Sequence, residues 1–151
     1  MKPKFAAFRK GDAGSSIIEF LFAGATFFLM LIAIFDFSYL YMYKMELQNA
    51  VRQAGRYAIT GQAMTGVSRY SSILQTVSDL SQGLANSSNT TVCSSSGGCG
   101  NAGGPGDVVT VTVNYDYNFS TPLITKFFTN GKYTIKVSSS FTNEAFPPDQ
   151  S

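Results

Sequence analysis

A chain of 151 residues, 44% hydrophobic and 13% charged, with no His and a formal net charge of +2, has room for one small domain. Without His it lacks the commonest general base and the commonest metal ligand at neutral pH, so enzymatic and metal-dependent functions start at a disadvantage. Its small net charge and scattered charges do not argue for a nucleic-acid surface.

The chain begins with a basic leader in which Lys2, Lys4, Arg9 and Lys10 precede an apolar run. Lys and Arg beside a hydrophobic helix hold that flank in the cytoplasm, so the remainder is expected outside it. From Ile17 to Tyr43 the only charged side chains are Glu19 and Asp36, and between them runs FLFAGATFFLMLIAIF. About 20 helical residues cross a 30 Å hydrocarbon core, so this segment can span a bilayer. A secretory signal peptide is the rival reading, but its apolar core is shorter and ends at a small-x-small cleavage site, whereas this one continues into FDFSYLYMYK. Tyr39, Tyr41 and Tyr43 fit an aromatic belt at the far interface. Asp36 falls beside that interface and is expected to reach headgroups or a neighbouring subunit.

Glu19 needs a different account, because an ionised carboxylate in hydrocarbon requires a partner. The stretch GSSIIEF at 14–20 resembles the processing site of type IV pilin-like proteins, in which a prepilin peptidase cuts after the glycine and a glutamate stands fifth in the mature chain. Gly14, Ser15 and Glu19 match that pattern. The resemblance implies cleavage between Gly14 and Ser15, with Glu19 neutralising the new amine of a neighbouring copy, an ion pair favoured by low dielectric. The small residues Ala23, Gly24 and Ala25 would let transmembrane helices approach closely.

The helix continues past the membrane. In KMELQNAVRQAGRYAITG, Leu47, Ala50, Val51, Ala54, Tyr57 and Ala58 recur at three- and four-residue steps, while Glu46, Gln48, Arg52, Gln53 and Arg56 line the other faces. Gly61 is a candidate left-handed stop. The apolar stripe asks for a cover, either the chain's own C-terminal part or another subunit's helix. Arg52 and Arg56, one turn apart, read as a solvated basic face. A second amphipathic helix is expected over RYSSILQTVSDLSQGL, with Tyr70, Ile73, Leu74, Val77, Leu80 and Leu84 on its stripe.

Residues 85–106, ANSSNTTVCSSSGGCGNAGGPG, read as a surface loop too polar to build a core. Cys93 and Cys99, the only cysteines, are expected to form a disulfide outside the cytoplasm, since a metal site would want more ligands than two thiols. Two strands follow. In VVTVTVNYDYNF, Val109, Val111, Val113, Tyr115 and Tyr117 face one way; in KYTIKVSSSF, Tyr133, Ile135 and Val137 do. Between them STPLITKFFTNG predicts a helical turn capped by Ser120 or Thr121, with Pro122 at its first position and Asn130–Gly131 returning the chain. A lone hairpin is marginal in water, so its apolar face is expected to cover the exposed half of the long helix.

The expected organisation is a cytoplasmic leader (1–14), a transmembrane helix (15–43), a periplasmic helical region (44–84), a disulfide loop (85–106), a C-terminal hairpin (107–146) and a tail (147–151). The fold class is α+β, a single-pass membrane protein whose long N-terminal helix packs on a small antiparallel sheet. Together with the processing site, AVRQAGRYAITG and VTVTVNYDYNFSTPLITKFFTNGKYTIKVSSSFTNE resemble the TadE-like proteins, the minor pseudopilins of the tight-adherence pilus. That resemblance implies a structural subunit of the cytoplasmic (inner) membrane, in or beneath the pilus. Its partners would be the membrane, other pilin or pseudopilin subunits, the prepilin peptidase and the tight-adherence assembly machinery, with no nucleic acid, cofactor or metal and no catalysis. The alternatives are an unprocessed, single-pass anchored binding module and an envelope hydrolase, the latter with no GxSxG or SxxK pattern behind it.

Overall fold

The structure, a computed structural model, describes residues 12–145; the basic positions Lys2, Lys4, Arg9 and Lys10 and the tail 147–151 lie outside them. A single helix, α1, runs from Asp12 to Ile59. None of residues 15–35 is buried, and the first buried side chain from Ser15 onward is that of Asp36. Beyond it the helix acquires a covered face formed by Leu47, Ala50, Val51, Ala54, Gly55 and Ala58, spaced at the three- and four-residue steps of one helical stripe. Tyr57, expected on that stripe, is only half-buried, and Gly55 takes its share of the contact. After α1, Gly61 donates its N–H to the Ala58 carbonyl at 3.1 Å with a φ of 71°, the left-handed stop that a glycine supplies without strain.

The second helix, α2 (Arg69–Leu80), starts where the Ser68 hydroxyl accepts the Ser71 N–H. Ile73 and Val77 are fully buried against α1. It stops earlier than its apolar stripe suggested, because Gln82 and Gly83 both take positive φ and the Ser81 hydroxyl accepts the Ala85 N–H at 3.0 Å.

The sheet has four antiparallel strands: β1 (Thr90–Ser94), β2 (Gly98–Cys99), β3 (Val108–Asn118) and β4 (Lys132–Thr142), ordered β2-β1-β3-β4. β3 and β4 pair along their whole length, with Val113 opposite Val137 and Tyr115 opposite Ile135. Val109, Val111, Val113 and Tyr117 alternate inward as expected, and with Ile135 and Val137 they form one core with Leu47, Val51, Ala54 and Ala58 of α1. α1 and the sheet are therefore two layers that bury each other's apolar faces.

The segment 85–106 departs from its expected role. β1 pairs with β3, setting Val92 opposite Val111, and Ala85, Val92 and Ala102 are buried in the core. Polar composition did not prevent this, since Thr90 and Ser94 flank Val92 on the inward face and the ladder satisfies the strand's backbone. The hairpin of sequence reasoning is thus the larger half of a four-stranded sheet.

Candidate functional site: the helix terminus and the membrane-proximal corner

Two parts of α1 carry the candidate chemistry. At its N-terminal end the Ser15 hydroxyl lies 3.4 Å from Glu19 Oε1, one turn away, with both residues exposed. This is a long hydrogen bond, weaker than one at the usual 2.7–2.8 Å for O–H donors. The hydroxyls of Thr26 and Ser38 are satisfied by the helix itself: Thr26 donates to the Phe22 carbonyl at 2.9 Å and Ser38 to Ile34 at 2.7 Å. A Cβ added at Gly24 would meet nothing within 4 Å, so the Ala23–Ala25 stretch presents a smooth open surface.

The second part is the corner at which α1 meets the C-terminal segment. Asp36 is 4% exposed, and its Oδ2 accepts the Thr121 N–H at 3.0 Å. The Tyr117 hydroxyl donates to the Asp36 carbonyl at 3.2 Å. The expected reach of Asp36 to headgroups or a neighbouring subunit is therefore corrected: its partner is the same chain, 85 residues further on. The reason is local. Thr121 is the N-cap of a short helix, α3 (Pro122–Thr125), but its hydroxyl makes no capping bond, and its backbone N–H is aimed at α1 instead. Burial pushes the Tyr117 phenol above its ordinary pKa, with the Asp36 carboxylate adding to the effect.

Aromatic rings close the corner. Phe119 packs edge-on to Phe37 of α1 at 5.9 Å and to Tyr117 at 5.2 Å, and stacks on Phe128 at 4.5 Å. Tyr43 packs against Tyr115 and Tyr117 at 6.0 and 5.7 Å, whereas Tyr39 and Tyr41 stay exposed. Of the three tyrosines expected in an interfacial belt, one thus belongs to the folded domain. The returning turn is as anticipated: Asn130 and Gly131 both take left-handed φ, 57° and 68°, before β4 begins.

At the other end of the domain, Cys93 and Cys99 form a disulfide joining facing residues of β1 and β2. Sequence patterning missed Arg69, a 5% exposed guanidinium that donates to the Gly103 and Ala58 carbonyls at 2.6 and 2.8 Å. It ties the polar 85–106 segment to the end of α1, and burial lowers its pKa while Asp107 acts in the opposite sense. Asp107 is held below the usual carboxylate range, first by the Ser96 hydroxyl and then by the Gly104 N–H. Arg52 and Arg56 remain exposed as a basic face; Arg52 shares a groove with Lys44, Gln48 and Lys136 between α1 and β4.

Comparison with curated proteins and with solved structures returns no match. One family model does match, and its extent coincides with the helix just described. Residues 14–56, from Gly14 through the apolar stretch to Arg56 on its extension, match the family of TadE-like proteins, a group associated with the tight-adherence pilus.

Proposed function

We propose that the chain is a minor pilin-like assembly subunit of a tight-adherence pilus, cut after Gly14 by a prepilin peptidase and assembled through its N-terminal helix. The observation that carries this reading is the bare half of α1. Residues 15–35, about 21 at 1.5 Å each, make a stretch of about 30 Å, the thickness of a hydrocarbon core. Ile17, Phe20, Phe22, Phe28 and Phe35 are all exposed on it. A helical stretch that none of the described residues buries has two available environments, lipid and other helices, and a pilin-like subunit uses them in succession.

In this reading the basic leader stays in the cytoplasm, residues 15–43 hold the span and its outer flank, and the remainder lies in the periplasm or at the cell surface. Cleavage leaves the span at the new N-terminus, and the freed amine of Ser15 becomes the cation for Glu19 of an adjacent copy. Ala23, Gly24 and Ala25 permit the close packing that brings the two together, and van der Waals contact between helices then holds the assembly. Its partners are sister pilins or pseudopilins and the assembly machinery, and the role is structural.

N-terminal sequencing of the protein isolated from its native membrane is expected to start at Ser15. Glu19→Ala is expected to insert normally and to assemble poorly. A mature protein that keeps its leader, or unchanged piliation in the Glu19→Ala strain, would refute the mechanism.

A further inference from the structure

The turn between β3 and β4 carries an apolar side chain that the fold itself drives outward. Phe127 is 82% exposed, more than any large apolar residue of the bare helix. Its backbone is fixed, since its N–H bonds to the Ile124 carbonyl at 3.0 Å and that of Phe128 bonds to Thr125 at 3.3 Å. Phe128 turns inward to stack on Phe119, so its neighbour must point away from the core. Exposing a Phe at a rigid position in water forfeits the stabilisation that burying it would bring.

The level of this turn relative to the span is set by the structure. Thr121 is hydrogen-bonded to Asp36, the residue at which the bare stretch ends, and Pro122 lines one apolar cleft with Ile32, Phe35 and Tyr39. α3 therefore stands beside the last turn of the lipid-facing helix. Lys126 and Lys132, both exposed, flank the apolar tip. An apolar tip with cationic side chains around it, held at the end of a hydrocarbon-length helix, has the composition of an interfacial membrane contact, in which rings enter the acyl boundary and lysines extend to phosphates.

We propose that the Pro122–Gly131 turn is a second membrane attachment: Phe127 enters the acyl boundary of the outer leaflet, and Lys126 and Lys132 meet headgroup phosphates. The folded domain then lies on the bilayer, held at two points, until the subunit is extracted. This inference rests on the span assigned above, and a single set of variants separates the two.

The chain has no Trp, so each introduced Trp is a sole reporter. Phe127→Trp, Leu29→Trp within the span and Gln62→Trp beyond the far end of α1 are each prepared in the full chain. They are reconstituted into phosphatidylethanolamine/phosphatidylglycerol vesicles with acyl-brominated lipid. The emission of Phe127→Trp is expected to shift to the blue of Gln62→Trp, and a bromine near the carbonyl should quench it several-fold more than one near the chain end. Leu29→Trp should show the opposite depth preference. If Leu29→Trp is quenched while Phe127→Trp matches Gln62→Trp, the second attachment is refuted and the span stands. Should Leu29→Trp itself escape quenching, the span fails and the inference with it. A blue shift of Phe127→Trp that grows with protein density and resists bromolipid would identify a second copy as the occupant and overturn the proposal.

Discussion

The hydrogen bond between Asp36 and Thr121 should hold the C-terminal turn to the helix, and its removal has a calculable effect. Asp36→Ala deletes a charge-assisted bond that contributes about 1.5–3 kcal/mol and leaves the Thr121 N–H without its acceptor. Against this, burying a carboxylate is itself unfavourable, and removing it recovers part of that cost. The bond outweighs the recovery here, because Thr121 is itself buried and its N–H is left without the acceptor that satisfied it. A net loss of about 2 kcal/mol in the free energy of local opening corresponds to about 30-fold faster amide exchange. Hydrogen exchange read by mass spectrometry on peptides covering 118–126, in detergent micelles, should show this acceleration there and none in α2. Asp36→Asn keeps the shape and a neutral acceptor and should lose about half as much, roughly 1 kcal/mol. Protection of 118–126 within twofold of wild type in Asp36→Ala would show that the carboxylate does not hold the turn.

Two further outcomes follow from the packing and the titrating groups. A Cβ at Gly55 would lie 2.5 Å from Cε1 of the half-buried Phe141, so Gly55→Ala should lower Tm, the overpacking of about 1–3 kcal/mol exceeding the roughly 1 kcal/mol of gained helix propensity. In a Phe141→Ala background the same change should raise Tm; a rise in the wild-type background would contradict the close approach. Thermal stability should be level across neutral pH, since the chain has no His. On the acid side the folded pKa of Asp107 is depressed, so its contribution is present above the ordinary carboxylate pKa of about 4 and is lost as pH falls further. On the alkaline side the Tyr117 pKa is raised, so its contribution is complete below about 10 and disappears as pH climbs through the folded value. Melting curves of Asp107→Asn and Tyr117→Phe should flatten the acid and alkaline limbs respectively, and an unaltered pH profile in both would refute the assignment.

The local physics of this chain was legible from its residues. A 16-residue run without charge between Glu19 and Asp36, a stripe at three- and four-residue spacing from Leu47 to Ala58, and strict alternation in Val109–Tyr117 each impose one conformation through nearest-neighbour geometry. The α+β class and the covering of α1 by the sheet followed from the need to bury those faces. The proposed cleavage and pairing residues, Gly14, Ser15 and Glu19, are likewise within one and a half turns of each other. Where these segments meet was decided by the tertiary structure alone. Nothing in the spacing of Asp36 points to a backbone N–H 85 residues away, because a lone carboxylate near the end of an apolar run specifies a need for a donor and no particular donor. β1 escaped notice because its single apolar inward residue, Val92, sits between Thr90 and Ser94, and the alternation becomes visible only once the β3 ladder satisfies that short polar strand. Gly55 read as an ordinary helix residue until Phe141 was brought against it. Phe127 and Phe128 are equivalent in sequence; one stacks in the core and the other points away from it because the turn after α3 can direct only one of two consecutive side chains inward.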